Sequence, residues 1–283
     1  MVLVILAAVF VAAFSVLFKA FSRFGVPLMP AIAVNYACAF GAGCLFYPPS
    51  AHAFAIGLWK PASVLGILFV SVFTLNGISA QRMGSAHTTI AGRMSLVLTV
   101  VCTMWIFHER IGLLTWTGIA LALFGLLLIT GTVEETGNTQ WHLPVLILLG
   151  SAACDIGVNV AQRLYTTSLT EATFTTFCFG AATLACSALL IFRCQLTQLA
   201  DKRVWIGGGL LGLVNYGSLL LLIAALGAGE PPASTIFPLM NIASILFGTA
   251  AGVLLFRERL QMRQWLGLAC CVLALLLILL GSS

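Results

Sequence analysis

Apolar runs of about twenty residues, each nearly free of charge, follow one another along most of this chain, and they constrain its fold more than any other feature. "IGLLTWTGIALALFGLLLITG" is one of them. A helix of about 20 apolar residues crosses the roughly 30 Å of hydrocarbon in a bilayer. A barrel strand would instead alternate apolar and polar positions over about ten residues, and these runs do not alternate. Only 7% of the residues are charged and 61% are hydrophobic, with a mean hydropathy of +1.11. A soluble domain carries about 25% charged residues, and a water-soluble fold of this length has too little interior to hide so much apolar surface. Lipid must solvate it. With no water to pair backbone groups there, helices that satisfy their own N–H and C=O groups are the solution. The expected class is therefore an all-α integral membrane protein.

Polar breaks divide the runs into ten predicted helices, over 2–22, 28–47, 61–81, 86–107, 112–130, 143–163, 170–192, 204–225, 231–256 and 262–281. The breaks carry turn chemistry, as in "YPPS", "ETGNTQ" and "GAGEPP". The first run has no basic leader and no small-residue cleavage site, so it reads as a retained helix and not a signal peptide. The net charge of +5 is spread thinly over short loops, which argues against a nucleic-acid partner. The nine cysteines form no C-x-x-C pair and lie mostly inside apolar runs, where cysteine acts as a small hydrophobe. "GGG" at 207–209 is no phosphate loop, because the lysine and hydroxyl residue of that motif are missing. Gly208-x-x-x-Gly212 and Gly248-x-x-x-Gly252 predict close helix approach.

The chain repeats itself. "FHERIGLLTWTG" at 107–118 is echoed by "FRERLQMRQWLG" at 256–267. Phe107, Glu109, Arg110, Trp116 and Gly118 recur as Phe256, Glu258, Arg259, Trp265 and Gly267, at a constant offset of 149 residues. Ser95 matches Ser244 at the same offset, and Arg23 matches Arg163 more loosely at 140. The longest polar break, "GTVEETGNTQWH", divides the chain into halves of five helices, 1–136 and 137–283. Five is odd, so equivalent loops face opposite sides of the membrane. The expectation is ten transmembrane helices as two inverted-topology five-helix repeats, a plan found in many secondary transporters with the substrate site near the midplane.

Two segments, "TTIAGRMSLVLTVVCTMWIFHERIGLLTWTG" and "FPLMNIASILFGTAAGVLLFRERLQMRQWLG", carry a resemblance. A fourth helix with proline, an acidic loop and a glycine-bearing fifth helix in each half resemble the drug/metabolite transporter superfamily, in particular its EamA-type branch. The resemblance spans essentially the whole chain. The first half departs from the pattern, with Thr89 where the proline would stand, so a kink is expected only at Pro238. The resemblance implies export or exchange of metabolites, amino acids, sugars, nucleotide sugars or drugs, with no cofactor and no catalysis.

An ionisable group within a spanning helix is costly unless paired or wet, and is a functional candidate by default. Arg93 lies about 10 Å into the fourth helix at 1.5 Å per residue. Asp155 lies near the middle of the sixth. Their depths differ by about five residues, or 8 Å, most of which an arginine can span, so an Arg93–Asp155 pair is geometrically possible if both helices face one cavity. Arg93 would hold a carboxylate or phosphate through its planar fork, and Asp155 would balance it or titrate during transport. The alternatives are a static ion pair or a snorkelling arginine. Lys19, Asn35 and Tyr36 would complete a basic vestibule with Arg93, although Lys19 also suits the interface. Asn215 and Asn241 are the amides nearest mid-membrane, as substrate ligands or as helix glue. His87 opens the fourth helix and is a second candidate for proton coupling. The "HER" and "RER" loops read as interfacial charge clusters.

Orientation is contested within the sequence. Nine lysines and arginines fall on the side opposite both termini and three on the termini's side, leaving Arg93 aside. The positive-inside rule then makes the side opposite the termini cytoplasmic, whereas the resembling family is commonly drawn with cytoplasmic termini. The expected location is a bacterial inner membrane. The expected partners are the lipid bilayer and a small polar substrate, amino-acid-like or anionic, with proton or counter-substrate coupling and the choice of monomer or dimer open. The rival readings are efflux of drugs or hydrophobic cations, a channel or scramblase, and a membrane enzyme. No H-E-x-x-H, G-x-S-x-G or paired-aspartate motif supports the last.

Overall fold

The computed structural model describes residues 1–49, 51–55, 57–83, 85–109, 112–130, 142–167, 170–229, 231–256 and 261–281, apart from some side chains within them, among them those of Lys19 and 80–90. In chain order the helices are α1 (Val2–Phe24), α2 (Leu28–Phe46), α3 (Ala51–Ala55), α4 (Trp59–Met83), α5 (Ser85–Phe107), α6 (Leu113–Thr130), α7 (His142–Tyr165), α8 (Glu171–Phe192), α9 (Lys202–Gly227), α10 (Ala233–Phe256) and α11 (Met262–Gly281), with a 3-10 turn at Leu196–Ala200 between α8 and α9. No strand occurs among the described residues. Ten of these helices lie where the apolar runs predict them, with ends within two residues. The short α3, inside the "YPPS" to "WKP" break, was not predicted, because five residues carry no readable period.

Seven helices are long and apolar enough to cross a membrane, namely α2, α4, α7, α8, α9, α10 and α11. The other three long helices hold shorter apolar stretches: Val2–Phe18 in α1, Ala91–Phe107 in α5 and Leu113–Ile129 in α6. The outer surface suits lipid, with Trp105, Phe192 and Leu254 each about 80% exposed. A soluble protein would bury such groups. Several hydroxyls within helices bond back to the carbonyl four residues earlier, as Ser71 does to Ile67 at 2.9 Å and Thr183 to Phe179 at 2.7 Å. That satisfies them without a partner helix.

Small residues set the closest approaches, as expected where van der Waals packing drives association between helices. A Cβ on Gly208 would sit 2.7 Å from the Ala31 carbonyl oxygen, and one on Gly212 would sit 2.9 Å from Cys38 Cβ. The first predicted glycine pair thus seats α9 against α2. The α6–α11 seam is reciprocal. A Cβ on Gly125 would lie 2.7 Å from the Gly267 carbonyl oxygen, and one on Gly267 would lie 2.6 Å from that of Gly125. Other main packings pair α1 with α9 and α10, α4 with α7 and α8, α2 with α8, and α5 with α7 and α10. Tyr36, Phe73, Phe179 and Tyr216 form an aromatic core between α2, α4, α8 and α9, with ring centroids 6.0–6.2 Å apart.

Candidate functional site: a polar centre between α5, α7 and α10

Apolar packing brings α5 against both α7 and α10, so polar side chains on their inner faces meet inside the bundle. Arg93, on α5, donates from Nη1 to Oδ1 of Asn241, on α10. The Asn241 amide is fixed by its other end, since Nδ2 donates to the Phe237 carbonyl at 3.0 Å. Asp155, on α7, accepts from Thr99 Oγ1 at 3.3 Å. Thr99 lies six residues beyond Arg93 on α5, about 9 Å along the axis. Ser95 and Ser244 flank the centre and turn back onto the Gly92 and Asn241 carbonyls at 2.6 and 2.8 Å.

The Arg93–Asp155 pair that their depths make possible is not formed as a direct contact in this structure. Among the described residues no hydrogen bond or ion pair within 4 Å joins them, although their charges interact through space. Depth along a helix is readable from sequence. Which helix face meets which neighbour is not, and α10 presents an amide to the arginine first. Both charged groups nonetheless point inward and keep partial access. Among the described residues Arg93 makes no other hydrogen bond. A guanidinium fork suits a carboxylate or phosphate, and a carboxylate facing it suits a cation or hydrogen-bond donor.

The other candidates fall elsewhere. Asn215 Nδ2 donates to Asn35 Oδ1 at 3.2 Å in the α2–α9 seam, where Asn35 is fully buried. That is helix glue of the kind amides provide in membranes. Tyr36 is 1% exposed within the aromatic core, and among the described residues its hydroxyl has no hydrogen-bond partner. In this conformation Asn35 and Tyr36 do not line an open vestibule. The side chains of Lys19 and His87 lie outside the described residues. Pro238 sits inside α10, three residues before Asn241, where its missing N–H leaves the Ser234 carbonyl without its helical donor.

A second polar cluster closes one end of the bundle, and sequence reasoning missed it. Phe107 ends α5, and His108 follows in the left-handed region (φ 52°), a common helix terminator. The chain then turns Glu109 back inward, leaving its side chain 8% exposed. One carboxylate oxygen pairs with Arg163, in the last turn of α7, and the other accepts from the Ser234 backbone N–H at 3.0 Å, in the first turn of α10. Arg163 also lies over the Phe107 ring, 4.2 Å from its centroid, and donates from Nε to Asn159 at 3.1 Å. An anion at a helix N-terminus is favoured by the free N–H groups there. The recurring Glu-Arg in the loops was a signal, but it named no partner.

No family model matches the chain. Among curated proteins it is 29% identical over 208 residues to an uncharacterized protein of Haemophilus influenzae, covering 72% of this chain and 69% of that one. It is 25% identical over 230 residues to the uncharacterized inner membrane transporter YedA of Escherichia coli K12, covering 78% and 71%. A solved crystal structure, described only as that of a protein, aligns over 100% of this chain and 98% of its own with a TM-score of 0.75 at 14% identity, a likeness of fold alone. These similarities and the apolar helices make the chain an integral inner-membrane protein.

Proposed function

We propose that the chain is a secondary transporter of the drug/metabolite transporter type, EamA-like, moving a small polar metabolite by alternating access between two inverted repeats, 1–136 and 137–283. The similarity to an inner membrane transporter supports the class. The packing supports the repeat. Exchanging α1 with α7, α2 with α8, α4 with α9, α5 with α10 and α6 with α11 turns the main contact pairs into one another. The α2–α9 pair becomes α8–α4, α1–α9 becomes α7–α4, and α1–α10 becomes α7–α5, while α6–α11, α2–α8 and α5–α10 map onto themselves. At the 149-residue offset, the approach of Gly118 to Ala274 becomes that of Gly267 to Gly125.

The observation that carries the reading is Arg93 of one half held by Asn241 of the other, beside Asp155, inside a shell of apolar helices. An arginine within a spanning helix is expensive unless it is paired or faces a water-filled path, and by default it marks a substrate route. Arg93 would take the anionic group of an amino-acid-like or anionic substrate. Asp155 would take a cationic or donor group, or a proton.

Purified protein in proteoliposomes, tested against pools of labelled amino acids and small carboxylates, should show saturable flux and counterflow. Arg93→Ala should abolish both, while Trp105→Ala, on the lipid-side surface, should leave them intact. Flux that neither saturates nor supports counterflow, from folded protein, would overturn the proposal.

A further inference from the structure

At the end where α5, α7 and α9 finish and α8 and α10 begin, polar side chains plug the interior. Glu109 ties α5 to α7 through Arg163 and to α10 through the Ser234 N–H. Next to Arg163 on α7, Gln162 is 8% exposed and hydrogen-bonds Glu171, the first residue of α8. A Cβ on Gly227, the last residue of α9, would lie 3.0 Å from Gln162 Nε2. The last turn of α7 is thus the hub on which four other helix ends converge. At the opposite end, where α2 begins and α8 finishes, there is a cavity of about 250 Å³ lined by Pro27, Leu28, Ile78, Arg193 and Gln195.

We propose that Glu109, Arg163 and the α10 N-terminus form a latch that closes the transport path at this end, and that it opens when α10 swings at Pro238. This rests on the carrier reading. Three features make the cluster a latch and not a permanent weld. First, it joins parts that must separate for access: Glu109 comes from the first half, and Arg163 and Ser234 from the second. Second, its pair is intermediate in burial. Glu109 is hidden, but Arg163 is 34% exposed, so water stands ready to receive the arginine when the carboxylate leaves. Third, it is wired to the polar centre. Ser234, which Glu109 holds, and Asn241, which holds Arg93, are seven residues apart on α10, about 10 Å at the helical rise. Between them lies Pro238, which removes one backbone hydrogen bond and so provides a place to bend.

The coupling follows from geometry. A substrate anion that takes the Arg93 fork competes with Asn241 for the same guanidinium. Releasing Asn241 frees the middle of α10. The first turn of α10 can then tilt at Pro238 and draw the Ser234 N–H away from Glu109. Arg163, held in place by Asn159 and the Phe107 ring, stays with α7 and α5. The latch therefore parts between Glu109 and α10 before it parts between Glu109 and Arg163.

The test needs no substrate. Ser151, on α7 one turn before Asp155, faces Gly92 beside Arg93, since a Cβ on Gly92 would lie 4.0 Å from Ser151 Oγ. Ser151→Cys is nearly isosteric and serves as a reporter. A membrane-impermeant maleimide is applied from each side of vesicles, and the labelled peptide is quantified by mass spectrometry. With the latch intact, labelling should come from the cavity end. Glu109→Gln and, separately, Arg163→Gln should raise labelling from the latch end by about tenfold, the population shift expected when one charge-assisted hydrogen bond is lost. Labelling from the cavity end should persist in both variants, which reports an intact fold. Unchanged latch-end labelling in both variants, or equal labelling from both ends with the latch intact, overturns the latch. Flux that survives such a result would leave the carrier reading standing. Latch-end labelling that rises in a protein without flux would uphold the latch and remove the carrier.

Discussion

Replacing Asn241 by leucine while Arg93 stays should destabilise the protein more than replacing both residues with apolar ones. Asn241→Leu removes the Oδ1 that accepts from Arg93 Nη1 and leaves a guanidinium short of a partner inside the bundle. Hydrogen bonds to charged groups contribute about 1.5–3 kcal/mol. Arg93 keeps partial access, so cavity water replaces some of the lost acceptor, and the lower end of about 1.5 kcal/mol applies. Arg93→Met in addition takes away the stranded charge, and apolar replacement of both partners is close to neutral. The cycle should therefore give a coupling near 1.5 kcal/mol, with the double variant the more stable of the two. Neutral interhelical hydrogen bonds in a membrane average only about 0.6 kcal/mol, so the size separates a held charge from ordinary helix glue. The assay is equilibrium unfolding of the four purified proteins in mixed micelles. Effects that add within about 0.5 kcal/mol would refute the reasoning.

Two further outcomes follow from the packing and the latch. Gly208→Val should destabilise by about 1–3 kcal/mol in the same unfolding assay, because its Cβ would press within 2.7 Å of the Ala31 carbonyl and of Val34 Cβ. Phe107→Leu removes the ring under Arg163 but leaves Glu109, so latch-end labelling of the Ser151→Cys reporter should rise only about threefold, in line with a single cation–π contact.

Helix positions were legible because a bilayer demands long apolar runs and polar breaks end them, which is why ten helices fall within two residues of expectation. The Gly208–Gly212 contact was legible for a related reason, since close approach requires the absence of a side chain. Partnering was not. The sequence marks Arg93 and Asp155 as costly polar groups within spans, but not that Arg93 meets Asn241, because rotation about the helix axis decides which neighbour an arginine reaches. For Asn215 the sequence leaves substrate ligand and helix glue open, and it bonds to Asn35, a vestibule candidate, in a buried seam. In the sequence Glu109 belongs to a charged loop and nothing more. Only the left-handed turn at His108 and the arrival of α10 make it a tie between helices, and both depend on the packed fold.

The reciprocal glycine contact between α6 and α11 bears on how such a protein can move. Each backbone there rests against the carbonyl of the other, with no side chain between to slide or compress. A side chain at either glycine would have to displace a backbone carbonyl, which has no rotamer to give, so these two positions fix how closely α6 and α11 can lie whatever the rest of the bundle does.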